Sequence, residues 1–86
     1  MPKLEELKRY AVLDPGGDEQ LLKMCMEAAQ TWFEGAGVPE PAEPNRLYDL
    51  GVYMLAVHYF DNRGVVGGKD SELPMGVWSI MHQLRL

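Results

Sequence analysis

The stretch from Leu50 to Phe60 constrains this chain most, because Val52, Met54, Leu55, Ala56, Val57, Tyr59 and Phe60 leave it almost no polar face. A helix drawn through these residues is apolar nearly all round, and such a helix is buried on all sides. The run Gly51 to Phe60 is also about half the ~20 residues needed to span a bilayer, so burial within protein is the expectation. In a chain of 86 residues, the neighbouring helices of one subunit are expected to leave part of that surface uncovered. The surplus predicts contact with another subunit.

Size points the same way. A domain this small buries only roughly 60% of the surface its unfolded chain exposes. Small scaffolds supplement such a core with disulfides, a metal or oligomerisation. Cys25 is the single cysteine, so no intrachain disulfide forms, and His58 and His82 lie far apart with no cysteine pair to complete a zinc site. Self-association is the remaining source of extra stability.

The rest of the chain divides into helices and breaks. Leu4, Leu7, Tyr10 and Ala11 fall at helical spacing and predict a short first helix over Leu4 to Ala11, ended by Asp14-Pro15-Gly16-Gly17. Asp18 is placed to cap a second helix running to about Glu34. Its apolar stripe is Leu21, Cys25, Ala28 and Trp32 with Leu22, Met26, Ala29 and Phe33 beside them. Gly35 and Gly37 stop it, since glycine readily takes the left-handed conformation that closes helices. Val38 to Glu43, with Pro39 and Pro41, forms a short stiff connection. Pro44 sits where helix starts favour proline, and the third helix is expected to run to Asn62 or Arg63. Residues Gly64 to Leu73 read as a mobile glycine-rich loop. Pro74 opens a last short helix carrying Val77, Trp78, Ile80, Met81 and Leu84. With no convincing strand and no repeat, residues 1–86 read as a single all-α domain, a small bundle of about four helices.

An inventory of reactive side chains does not assemble an active site. His58 stands mid-helix among apolar residues, where a structural histidine is the plainer reading. Cys25 lies on an apolar stripe without a neighbouring base, where it acts as a small hydrophobe. Gly64, Gly67, Gly68 and Lys69 do not match phosphate-loop spacing and follow no strand. Asp14, Asp18 and Glu19 lack the alternation of a calcium loop and suit a helix entry instead. No nucleophile, base and orienting group converge at readable spacing, so the expectation is no enzyme and no cofactor. The six methionines read mostly as core filler, with Met75 and Met81 also suited to a partner contact.

Charge limits the partners. The net charge of −5, with 8 scattered basic residues, argues against general nucleic-acid binding, which needs clustered Lys and Arg. The N-terminus Met1-Pro2-Lys3-Leu4-Glu5-Glu6 has no apolar signal core, and a lone cysteine suits a reducing compartment. These features predict an intracellular, soluble product.

Three ordered segments resemble a known family. They are Leu4-Glu5-Glu6-Leu7-Lys8 followed by Asp18-Glu19-Gln20-Leu21-Leu22; Ala56-Val57-His58-Tyr59-Phe60-Asp61-Asn62-Arg63; and Leu73-Pro74-Met75-Gly76-Val77. Together the chain resembles the small head–tail connector proteins of tailed bacteriophages and prophages, some described as possible DNA-packaging proteins. Met75 stands where that family more often has an aromatic, and the tail Met81 to Leu86 lacks its Pro-Tyr-Arg ending. The resemblance implies a homo-oligomeric ring beneath the portal protein, part of the DNA exit channel, with a docking surface for tail-side connector proteins. DNA passes through such a channel without sequence-specific binding, and no membrane is involved. It places the protein in the bacterial host cytoplasm during assembly and at the head–tail junction of the virion. The candidate interface residues are Tyr53, Met54, Val57, Tyr59, Phe60, Arg63, Leu73, Pro74, Met75, Val77 and Trp78. Two other readings stay open: a small cytoplasmic helical adaptor or regulator acting as a dimer, and a packaging-initiation protein that binds DNA.

Overall fold

The computed structural model describes residues 2–11, 18–61 and 74–85. These form four helices: α1 (Leu4–Ala11), α2 (Glu19–Gly35), α3 (Arg46–Asp61) and α4 (Met75–Leu84). The fold is all-α, a four-helix bundle without a strand among the described residues. The expected breaks at Asp14 to Gly17 and Gly64 to Leu73, and the expected end of the third helix at Asn62 or Arg63, lie outside the described residues.

Local chemistry sets the helix ends. The Asp18 side chain accepts a hydrogen bond from the Leu21 amide at 2.9 Å, occupying one of the unpaired donors of the first turn of α2. At the other end Gly37 has φ +95°, while the Val38 amide donates to the Phe33 carbonyl at 2.8 Å and the Gly37 amide to that of Glu34 at 3.1 Å. This is the paired-bond stop that glycine favours, and Val38 then folds back into the core beside Phe33. The start of α3 differs from expectation. Pro44 lies one residue outside the cap, and Asn45 is the capping residue: its Oδ1 accepts from the amides of Leu47 at 3.0 Å and Tyr48 at 3.1 Å. A side-chain acceptor satisfies donors that proline at the helix start would leave open.

Helix α3 is the centre of the bundle and packs against α1, α2 and α4. Tyr48, Val52, Leu55 and Ala56 are buried, as are Gly51 and Tyr53. The core adds Leu7 from α1, Leu22, Cys25, Met26, Ala29 and Phe33 from α2, and Val77, Ile80 and Met81 from α4. On α2 the more deeply buried row is Leu22, Met26, Ala29 and Phe33, while Leu21 and Trp32 are half-buried beside it. Gly51 marks the closest approach. A Cβ there would stand 2.8 Å from Phe33 Cζ and 2.9 Å from Ile80 Cγ2, so only glycine lets α2 and α4 close on α3 at this level. An edge-to-face contact of Trp32 on Trp78, ring centroids 5.5 Å apart, also joins α2 to α4.

The expectation that one subunit could hardly cover all of α3 is met in part: Leu50 is exposed, and Leu47, Met54, Val57, Tyr59 and Phe60 are only half-buried. Three helices surround α3, and that is enough to bury seven of its residues, Asp49 included.

Candidate assembly surface

What α3 leaves outward is a narrow stripe. Leu50, Met54 and Val57 recur at i, i+4 and i+7, which places them one above another on the same face. Leu50 is 41% exposed, and Met54 and Val57 are half-buried. The stripe has apolar neighbours on both sides. Tyr10 of α1 is 45% exposed and shares an open cavity of about 340 Å³ with Leu50 and Tyr53. On the other side the Met54 methyl lies against Gly76, next to Met75, which is 86% exposed at the start of α4.

The cavity between α1 and α3 is polar at its rim. Arg46 pairs with Glu6 at 3.2 Å, and Arg9 and Asp49 complete the lining. Asp49 is 3% exposed and sits in the first turn of α3, where the helix dipole favours a negative charge. Tyr53 runs beneath this rim with its ring 6.2 Å from that of Tyr10. Its hydroxyl donates to Glu6 at 2.7 Å and accepts from the Lys3 amide at 2.9 Å. Burial first, then the Glu6 carboxylate, push the Tyr53 hydroxyl up to about 12, against the lowering influence of the Lys3 amide. The Tyr53 hydrogen bond, followed by that of Arg46, holds the Glu6 carboxyl below its usual value. An ion pair of Lys8 with Glu19 ties α1 to the start of α2 from outside.

The candidate interface residues separate by depth. Tyr53 and Val77 are core residues, and Tyr53 reaches the surface only as part of the wall of the cavity it shares with Tyr10 and Leu50. Met54, Val57, Tyr59, Phe60, Pro74 and Trp78 are half-buried, and Met75 is open. Arg63 and Leu73 lie outside the described residues. Met81, a second candidate for partner contact, is 3% exposed and belongs to the core, whereas Met24, expected as filler, is 60% exposed. Leu50 and Tyr10 also belong to the outward surface, although the sequence pattern does not single them out. Leu50 is signalled only as the residue one turn before Met54. Tyr10 was absorbed into the apolar stripe of its own short helix, and its outward position depends on how α1 lies on α3.

Cys25 is buried, and His58 is half-buried with its ring 6.2 Å from that of Tyr59. No helix among the described residues is long and apolar enough to cross a membrane. No protein-family model, curated protein or solved structure matches the chain.

Proposed function

We propose that this protein is a structural assembly module, not an enzyme, and that it associates with copies of itself through the outward face of α3. The observation that carries this reading is the Leu50, Met54 and Val57 stripe, extended by exposed Tyr10 and Met75. An apolar surface continued across three helices and rimmed by Arg9, Arg46 and Glu6 has the composition of an interface, an apolar centre within a polar edge.

The assembly we propose is the head–tail connector of a tailed phage or prophage, on the strength of the ordered segments that resemble that family. A ring needs a heterologous interface, with two different patches on each subunit meeting head to tail. The net charge of −5 suits a channel wall that repels phosphate and lets DNA pass without sticking. The portal protein above and tail-side connector proteins below are the proposed partners.

Mixing the purified protein with a portal protein from the same phage or prophage and imaging the product by electron microscopy tests this proposal. Rings seated on the portal are the expected result, and absence of binding overturns it. The same stripe would also serve a two-fold dimer, as in a small cytoplasmic adaptor, because a self-complementary patch needs only one surface. Mass measurement by sedimentation equilibrium separates the two: a discrete dimer that ignores the portal favours the adaptor.

A further inference from the structure

A second cavity lies on the far side of α3. Tyr48 and Leu50 are two residues apart, hence about 200° apart around the helix, so what Tyr48 faces is turned away from the apolar stripe. The cavity has a volume of about 330 Å³ and is lined by Glu27, Gln30, Thr31 and Glu34 of α2, Glu40 of the following connection, and Tyr48. Three of these six residues are carboxylates and none is basic.

Tyr48 is 1% exposed, and its hydroxyl is enclosed without a hydrogen-bond partner. Tyr48 lines the cavity, and its hydroxyl is influenced by Gln30, Glu40 and Glu34 of the cavity wall as well as by its helix neighbour Asp49. Gln30 lies alongside without forming a hydrogen bond of ordinary geometry. Burial is the main cause that raises the Tyr48 hydroxyl above its usual range, so it stays protonated at neutral pH. An enclosed hydroxyl with no partner is costly, and such a group asks what it is there to meet.

We propose that this cavity binds an organic cation of the alkylguanidinium or alkylammonium class, held among Glu27, Glu34 and Glu40 with an N–H donated to the Tyr48 oxygen. The partner has to supply donors and positive charge together, because the wall offers acceptors and negative charge. No three carboxylates among the described residues converge tightly enough to enclose a metal ion. A planar guanidinium spans separated carboxylates with several N–H groups and leaves one for the hydroxyl. Such a cation has two sources. One is an arginine of a second copy: Arg9 and Arg46 line the cavity on the opposite side of α3, and Arg46 is 82% exposed. Their insertion would join subunits head to tail, a contact that rests on the self-association proposed above. The other source is a free small cation.

The test titrates the full chain with butylguanidinium, using butylurea as the neutral isostere, and follows the Gln30 side-chain amide by NMR. Saturable binding of butylguanidinium, at least about tenfold tighter than butylurea, is expected, because charge-assisted hydrogen bonds are the strong ones. Glu34→Gln with Glu40→Gln, both at exposed positions, should abolish it, and Tyr48→Phe should weaken it severalfold. Shifts that never saturate, or that survive all three substitutions, overturn the site. Sedimentation velocity then assigns the source. If Arg9→Gln with Arg46→Gln, and separately excess butylguanidinium, reduce self-association, the cation comes from a second copy. If binding persists while association is unmoved or absent, the cation is a free one. The titration thus stands or falls independently of the assembly reading.

Discussion

The hydroxyl of Tyr53 donates to the Glu6 carboxylate at 2.7 Å across 47 residues of sequence, and this bond seats α1 on α3. The same oxygen accepts from the Lys3 amide, so one buried side chain satisfies both the first helix and the backbone that leads into it. An eight-residue helix has little stability of its own. It is held by Leu7 in the core and by this pair of bonds.

Tyr53→Phe keeps the ring and removes both bonds, and should lower stability by about 1–2 kcal/mol in urea unfolding. The pH dependence follows from the two shifted groups. Tyr53 titrates at about 12 in the folded chain against an ordinary 10.0, so its contribution is complete below pH 10 and is lost as pH rises towards 12. Glu6 is shifted down from 4.5, so its contribution is complete above that value and is lost as pH falls through its folded value. Unfolding measured across pH should show Tyr53→Phe flattening the alkaline limb and Glu6→Gln flattening the acid limb.

Gly51→Ala should destabilise the fold by about 1–3 kcal/mol although alanine is the better helix former. The new methyl meets Phe33 and Ile80 at 2.8 and 2.9 Å, inside any normal contact, and both are core side chains held by their neighbours. Thermal unfolding checks this. A stabilised Gly51→Ala would show that α2 and α4 do not close on α3 as described.

Asn45→Ala removes the acceptor for two amides at the start of α3 and should cost about 1 kcal/mol, whereas Asn45→Asp should retain most of the stability. Chemical denaturation of the two variants side by side makes the comparison.

Leu50→Glu should weaken self-association at least about tenfold and leave the unfolding midpoint of the dilute monomer within about 0.5 kcal/mol of the parent. The side chain is 41% exposed, so the carboxylate has solvent in the monomer and loses it only in a contact. Sedimentation velocity over a concentration series reads the first quantity, and urea unfolding the second.

The helices were legible because the signals that make them are local. Asp18 caps α2, Gly37 stops it, and the spacing of Leu22, Met26, Ala29 and Phe33 reports its buried face, all within a few residues of one another. The start of α3 lies two residues beyond the position Pro44 suggests, since Pro44 and Asn45 both signal a helix entry and only the side-chain acceptor of Asn45 makes the capping bonds.

From sequence alone, the chain determines four helices and a central, nearly all-apolar third one. Tertiary structure decided which side of that helix faces out. A helix apolar all round carries no phase, so nothing in Leu50 to Phe60 says that Leu50, Met54 and Val57 are left outside while Val52, Leu55 and Ala56 go in. Packing of α1, α2 and α4 supplied that phase, and with it the Tyr53 link to Glu6 and the enclosure of the Tyr48 hydroxyl above three carboxylates. Contacts between residues distant in sequence depend on where whole helices come to rest, and local pattern does not encode that position.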